Sequence, residues 1–196
     1  MKVNILSRIG AFIIDIVLLT LMGGIISGII PQSAHYREIK EKESKLIGEN
    51  IFAQFDDNTK MDEYYQLKYE IDKETIHITL ISCVLSLAYF GTFAFYNDGK
   101  TVGKMLLKIK IENVDKRNNM HLMYLLRSFL INGVFSSLLL VLGVLLFNYQ
   151  NYTTYYYVVS GIYASFLLVT CIISITREDG RGIHDLLCGT EVIKNK

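Results

Sequence analysis

The chain has 196 residues, of which 51% are hydrophobic and 20% are charged. A length of this order predicts one domain, and this balance favours a membrane protein over a soluble one. We therefore treat residues 1–196 as a single membrane domain. The formal net charge of +1 indicates little by itself, and we expect no nucleic-acid partner.

Four apolar runs follow one another along the chain, covering residues 9–30, 76–96, 128–147 and 155–175. Each has about the 20 residues that a helix needs to cross the hydrocarbon core of a bilayer. A spanning segment must satisfy its backbone hydrogen bonds internally, so all four should be helices. The predicted fold class is an all-α four-helix transmembrane bundle. The first run is long and carries Asp15, so we expect it to remain in the mature protein rather than act as a signal peptide.

The charges between these runs predict the orientation of the chain. Residues 97–127 hold seven basic and three acidic residues, whereas residues 31–75 hold seven basic and eleven acidic residues. Lys and Arg concentrate in cytoplasmic segments. We therefore expect the basic loop 97–127 and both termini in the cytoplasm, and the acidic loop 31–75 outside, as in a multi-pass protein of the cell membrane.

The acidic loop itself has helical character. Its stretches 35–49 and 62–73 are rich in residues that favour helices, which predicts a small external hairpin or cap. Tyr64, Tyr65 and Tyr69 are typical of a membrane interface.

Asp15 is the first candidate for a functional residue. It follows Arg8 by seven residues, close to two helical turns, so both side chains share one face. Asp15 is then several Å deep in the hydrocarbon core, where inserting an acidic side chain costs roughly 2.5–3.5 kcal/mol on insertion scales. It should therefore face the bundle interior and have a partner, and it is a candidate functional residue. The alternative is a protonated, purely structural Asp15. Asn132 should lie at a similar depth and could bond to it.

Other residues of the membrane runs carry weaker signals. Four polar residues of the second and fourth helices are expected in the same inner half: Tyr89, Thr92, Thr170 and Ser174. Singly, each is more often a helix-packing contact than a ligand. Gly24 and Gly28 form a small-xxx-small pair, which predicts a close helix contact within the bundle or between subunits.

The basic loop begins with a glycine-rich motif made of Gly99, Lys100, Thr101, Gly103 and Lys104. The spacing does not fit a phosphate loop, because the step between the glycines is one residue short. Residues 105–111 then alternate in a strand-like or interfacial pattern. Lys100, Lys104, Lys108 and Lys110 are expected to lie on the cytoplasmic leaflet, where basic residues attract anionic lipid headgroups.

The tail after the fourth run contains a second motif, which includes Arg181, Gly182, His184 and Asp185. Neighbours in sequence should point in different directions, so His184 and Asp185 are not expected to form an acid–base pair. We expect Asp185 to play a structural role, paired with Arg8 or with a lysine of the basic loop across the inner surface.

Enzyme chemistry finds no support in the sequence. Cys83, Cys171 and Cys188 are far apart and form no CxxC pair, so neither a metal site nor a disulfide framework is indicated. No nucleophile–base pair is visible either. We expect no catalytic residues, no cofactor and no metal.

Three blocks, taken in order, resemble the RDD family of small bacterial membrane proteins, named for one arginine and two aspartates. They are RIGAFIID at residues 8–15, GKTVGK at 99–104 and RGIHDLLCGT at 181–190. The resemblance implies that Arg8, Asp15 and Asp185 are the naming residues. It also implies a location in the bacterial cytoplasmic membrane and a transport role, with sodium/proton exchange proposed for some members.

Two hypotheses for the function follow. In the first, Asp15 binds or releases a cation, a proton or another small ligand, Arg8 modulates its charge, and residues 99–104 seal the inner side. Four helices enclose little volume, so this pathway would require a homo-oligomer. In the second, the protein is a non-transporting scaffold or accessory subunit, in which Arg8, Asp15 and Asp185 lock the helix ends and the external loop binds a partner.

Overall fold

A computed structural model describes residues 3–50, 58–114 and 119–195 of the chain. Parts of the predicted loops, residues 51–57 and 115–118, lie outside the described residues. The described chain is mainly helical, as the composition predicts. It also contains a small two-stranded antiparallel sheet, which the all-α prediction missed.

Three of the four predicted runs are long helices. Helix α1 covers Ile5–Ile29 and α9 covers Tyr149–Thr176. Between them, α4 (Ile76–Leu87), a π-helix (Ala88–Phe93) and α5 (Ala94–Tyr96) form one continuous helical segment. All three segments are long and apolar enough to cross a membrane. Helices α1 and α9 each begin a turn or more before the predicted run.

The third predicted run, 128–147, is not one straight helix. The structure has α7 over Met120–Ile131 and α8 over Val134–Leu146, bent by 60° at the break between them. Gly133 occupies the break with a φ of 77°, a conformation that glycine adopts without steric cost. By length and composition the described chain thus has three spanning helices, or four if the bent pair is one broken span.

Helices occupy both predicted stretches of the acidic loop. They are α2 (Ala34–Asn50) and α3 (Asn58–Glu74). Their apolar sides meet in a small cluster of buried residues made of Ile39, Leu46, Leu67 and Ile71. The hairpin is attached to the bundle through α3, where Tyr69 donates to the carbonyl of Phe147 at 3.1 Å and Asp72 accepts from Tyr152 at 2.7 Å.

The basic loop and the tail fold together into one unit against the ends of the long helices. The loop supplies α6 (Val102–Leu106) and strand β1 (Ile109–Asn113), and the tail supplies α10 (Ile183–Cys188) and strand β2 (Thr190–Lys194).

The two strands pair with Ile111 opposite Val192. Their alternating apolar side chains Ile109, Ile111 and Val192 join Ala11, Val3, Ala94 and Tyr124 in a buried cluster. The strand-like alternation predicted for residues 105–111 is therefore confirmed from Ile109 onward.

The glycine pair of α1 makes no close contact with other described parts of the chain. A Cβ atom added at Gly24 or Gly28 would have no other atom within 4 Å. On the same helix, Leu21, Ile25 and Ile29 are among the exposed large apolar residues. The predicted contact within the bundle is thus wrong, and a contact between subunits stays a prediction.

Candidate functional site

Asp15 is fully buried and its carboxylate accepts three hydrogen bonds. Oδ1 accepts from the Tyr89 hydroxyl at 2.6 Å and from the backbone N–H of Gly103 at 2.7 Å, and Oδ2 accepts from the Thr101 hydroxyl. Because the donors come from the π-helix, from α6 and from Thr101 directly before α6, Asp15 in α1 joins segments that are distant in sequence. The expected burial and partnering of this residue are confirmed.

The expected partner of Asp15 is wrong. Asn132 lies at the break after α7 and donates to the hydroxyl of Ser128 at 3.1 Å. The Tyr89 hydroxyl occupies the place beside the carboxylate instead, and it also accepts from the backbone N–H of Val102 at 3.0 Å. The sequence placed Tyr89 at the right depth but could not show which face of the helix it occupies. Thr92, expected at the same depth, bonds to His121.

The glycine of the loop motif explains how α6 approaches α1 so closely. A Cβ atom at Gly103 would collide with the carbonyl oxygen of Ala11 and lie 2.9 Å from Oδ1 of Asp15. Gly99 has a different role in a turn, with a φ of 79° and a backbone oxygen that accepts from Ile111 at 2.9 Å. The motif therefore holds the loop on the helix, and Gly103 is the residue that permits the contact.

Lys104 is buried, which corrects its predicted place on the membrane surface. Its Nζ donates to the Thr101 hydroxyl at 3.1 Å and lies 4.0 Å from Oδ2 of Asp15. Burial, together with the positive charge of Arg127, lowers the pKa of Lys104 to about 7, although Asp15 acts in the opposite direction. The physical reason for the correction is tertiary, because a buried carboxylate draws the lysine inward. A surface position for Lys100, Lys108 and Lys110 stays a prediction.

Asp185 is the second buried carboxylate, and cations surround it. Oδ1 accepts from Nε of Arg127 at 2.9 Å, and Nη1 of Arg8 lies 3.9 Å from Oδ2. The expected pairing of Asp185 with Arg8 is confirmed. Burial acts to raise the pKa of Asp185, but Arg127 and His184 outweigh it and hold this pKa at about 2.

His184 and Asp185 do not point apart. Nε2 of His184 lies 3.3 Å from Oδ2 of Asp185 and 3.2 Å from Nη2 of Arg127. Burial lowers the pKa of His184 to about 3, so the ring is neutral at physiological pH. Since a guanidinium can only donate, Nε2 of the neutral ring accepts and Nδ1 carries the proton. Arg127 thus bonds to both His184 and Asp185. Sequence reasoning did not single out Arg127, because this residue lies at the end of the basic loop.

Two other arginines fasten the tail. Arg8 donates to the carbonyls of Gly180 and, at 3.2 Å, of Val192, so it ties α1 to the tail. Arg181 donates to the carbonyl of Thr190 at 3.0 Å. The backbone N–H of Gly182 donates to Asp185 at 3.3 Å at the start of α10.

Two cavities, each of about 300 Å³, border the break between α7 and α8. The first, here the basic cavity, lies among α1, α7, α9 and α10, and its polar lining includes Arg8, Lys104, Arg127, Asn132, Thr170 and His184. The second, here the hydroxyl cavity, lies between α4 and α8, and its polar lining includes Thr75, Thr79, Ser82, Ser86, Asn132 and Ser137. Asn132 lines both. Ser174 also lines the basic cavity.

Metal ligands are not assembled in the part of the chain that the structure describes. There, no three His, Cys, Asp or Glu side chains are grouped so that they could hold a metal ion. Cys83 and Cys188 are buried free thiols, and Cys171 is an exposed one.

The apolar helices and the buried charges that join them define a multi-pass α-helical membrane protein. The RDD family model matches residues 2–189, nearly the whole chain, and the protein belongs to the RDD family. Comparisons with curated proteins and with solved structures give no significant match. Arg8, Asp15 and Asp185, the residues expected to name the family, are those that the structure places at the two buried carboxylate sites.

Proposed function

We propose that this RDD family protein is a transporter of small cations in which the Asp15–Lys104 pair exchanges a proton. The observation that carries the proposal is the geometry of this buried pair. Nζ of Lys104 stands 4.0 Å from Oδ2 of Asp15, beyond direct hydrogen bonding, while neutral donors hold the carboxylate. An ionisable residue within a membrane-spanning helix, as Asp15 is in α1, is by default a candidate for an ion or proton pathway.

The lysine supplies the proton exchange. A pKa of about 7 allows Lys104 to lose its proton near neutral pH. Deprotonation leaves the Asp15 carboxylate with neutral donors alone, and an entering cation would then restore the charge balance. A proton bound at Lys104 and a cation bound at Asp15 would therefore compete, which is the basis of exchange.

The irregular helices supply a route. Backbone that is not α-helical is tolerated at membrane depth where it lines a cavity, and broken helices and π-helices frequently accompany functional sites. Here the α7–α8 break carries Asn132, which lines both the basic cavity and the hydroxyl cavity. Ser128, just before the break, contacts the carbonyl of Ser86, just before the π-helix. Asn132 would be the partition between the two cavities.

Residues 99–104 act in this proposal as the inner gate. The hydrogen bonds from Thr101 and Gly103 to Asp15 hold α6 against α1, so the arrangement corresponds to a closed gate. Opening would require these bonds to break together. The described spanning helices carry one carboxylate, Asp15, and the bundle is small. Both features favour a homo-oligomer, for which the exposed face of α1 around Gly24 and Gly28 offers a contact surface.

The same proposal includes the orientation of the protein in the membrane and its contacts with lipid. Both termini and residues 97–127 would lie in the cytoplasm of a bacterial cell, and the α2–α3 hairpin would lie outside. Lys100, Lys108 and Lys110 would contact anionic lipid headgroups of the inner leaflet.

A scaffold or accessory subunit is the second candidate, and one observation favours it. Both buried carboxylates have several partners, so each can serve as a lock between elements. In that case the α2–α3 hairpin would bind the partner protein. The two candidates differ in what a change of charge at Asp15 or Lys104 would do.

The deciding experiment measures ion flux in sealed liposomes that contain the purified protein and an internal pH-sensitive dye. Sodium, potassium and lithium gradients are imposed in turn. We expect wild-type protein to move protons in exchange for at least one of these cations. Asp15→Asn and Lys104→Arg should each abolish that proton movement. Lys104→Arg retains the positive charge but does not release its proton near neutral pH. The matched control is Glu38→Gln, which removes an exposed carboxylate of the hairpin and should retain flux.

Folding is checked by size-exclusion chromatography and thermal melting of each variant. A well-folded wild type without flux under any gradient would exclude cation exchange. Full activity of Lys104→Arg would show that Lys104 is only part of a lock.

A further inference from the structure

We infer that the basic cavity binds an anionic amphiphile, with a carboxylate or phosphate head held by Arg8, Thr170 and His184 and an apolar chain on the opposite wall. This inference goes beyond the proposed function, because the site would exist whether or not the protein carries a cation. The ligand would enter from the bilayer.

The charge of the cavity favours an anion. Three basic side chains line it, those of Arg8, Lys104 and Arg127, against the single carboxylate of Asp185. Arg127 and Asp185 bond directly at 2.9 Å, whereas Arg8 stands 3.9 Å from the same carboxylate. The lining thus has more positive than negative groups in a setting where water screens them poorly. An oxyanion would balance that excess.

Unpaired polar atoms point to the same ligand. Among the described residues, Nε of Arg8, Oγ1 of Thr170 and Nδ1 of His184 are buried and have no hydrogen-bond partner. All three residues line the basic cavity. Each atom can donate: the guanidinium N–H, the hydroxyl and the N–H of the neutral imidazole. Buried donors without partners are rare in folded proteins, and three on one cavity indicate a missing acceptor. A carboxylate or phosphate has the oxygens to accept from them.

Much of the remaining lining is apolar. Ile9 and Phe12 contribute from α1, Leu167 from α9 and Phe90 from the π-helix. Ile9 and Phe12 are also partly exposed on the outside of the bundle, on a helix that is apolar enough to contact lipid. A ligand with a hydrocarbon chain can therefore place its head at the arginines and its chain along α1. A head without a chain would leave these apolar residues uncovered.

Cys171 provides a reporter for this site. It lines the basic cavity and is exposed, whereas Cys83 and Cys188 are buried. The full-length protein in a neutral maltoside detergent is treated with N-phenylmaleimide, and the labelling rate of Cys171 is measured by mass spectrometry of its peptide. The probes are dodecyl phosphate, dodecanoate, dodecanol and inorganic phosphate, each at the same concentration. We expect the two anionic amphiphiles to slow labelling several-fold and dodecanol to have little effect.

The variant Thr170→Val tests the contact with the head. It removes a hydroxyl that has no partner in the structure and keeps the shape of the side chain, so folding should be retained. Protection by dodecyl phosphate should then require a several-fold higher concentration. Thr176→Val on the same helix is the matched control, because its hydroxyl bonds to the carbonyl of Ile172 at 3.1 Å and is exposed. Its protection should equal that of the wild type.

Three results would overturn the inference. Equal protection by dodecanol would show that the chain alone is bound, and equal protection by inorganic phosphate would assign the site to a free anion. Identical behaviour of Thr170→Val and Thr176→Val would remove the hydroxyl from the site. Because binding is the readout, a failure here is distinguishable from a failure to observe ion flux.

Discussion

The contact of α1 with α6 around Asp15 differs from the contact of α7 with α10 around Asp185 in the chemistry that holds the carboxylate. Both carboxylates are almost completely buried. Asp15 accepts from two hydroxyls and a backbone N–H, and the nearest cation is 4.0 Å away. Asp185 bonds directly to Arg127 at 2.9 Å.

In the proposed function, this difference gives the two sites different tasks. Arginine does not release its proton at any physiological pH, so the charges around Asp185 are permanent and suit a lock. The cation beside Asp15 is Lys104, whose pKa of about 7 allows its charge to change. One buried carboxylate can therefore fix the fold of the tail while the other can take part in ion exchange. Three measurements would break or sharpen this comparison.

Replacing Asp185 should have the largest effect on stability. Asp185→Ala leaves Arg127 and Arg8 buried without their carboxylate, and breaking a buried ion pair costs about 3–5 kcal/mol. We expect a strongly lowered melting temperature and loss of monodisperse protein in detergent. The control is Glu41→Gln, which removes an exposed partner of Lys45 and should change the melt little. Similar melts for the two variants would show that Asp185 does not lock the tail.

Filling the space at Gly103 should have an intermediate effect. Gly103→Ala places a methyl group against the carbonyl of Ala11 and Oδ1 of Asp15, so α6 must move away from α1. Overpacking of this kind costs about 1–3 kcal/mol, and thermal melting would measure it. Gly161→Ala in α9, where a Cβ atom meets no other atom within 4 Å, is the control and should not destabilise. An unchanged melt for Gly103→Ala would contradict the tight contact.

The pH dependence of stability is the third test, and its effect accumulates over several pH units. The pKa of Lys104 is about 7 in the folded protein and 10.5 for a free side chain, so between these values the unfolded chain binds more protons. Stability should therefore rise with pH from about 7 to 10.5, by up to about 1.4 kcal/mol per pH unit. Thermal melts across this range should show the rise in wild type and lose it in Lys104→Met. The same slope in both proteins would show that Lys104 does not titrate there.

Sequence reasoning succeeded where the pattern is local. The positions of the long apolar helices and of helices α2 and α3 followed from residue type and length, and the strand alternation found Ile109 and Ile111. The pairing of Arg8 with Asp185 also followed, because both were expected at one end of the bundle. Sequence reasoning failed where the rotation of a helix about its axis decides which side chain makes a contact. Tyr89, and not Asn132, bonds to Asp15.

The sequence by itself determined a membrane protein whose three motifs resemble the RDD family, with Arg8, Asp15 and Asp185 as the naming residues. Apolar length suffices for the membrane assignment, because the bilayer restricts a chain to long helices that satisfy their own hydrogen bonds. Only the tertiary structure decided that Lys104 turns inward, that Arg127 bonds to both His184 and Asp185, and that the third predicted run breaks at Gly133. These outcomes depend on which side chains from distant segments compete for one carboxylate or one space, and no local pattern encodes that competition.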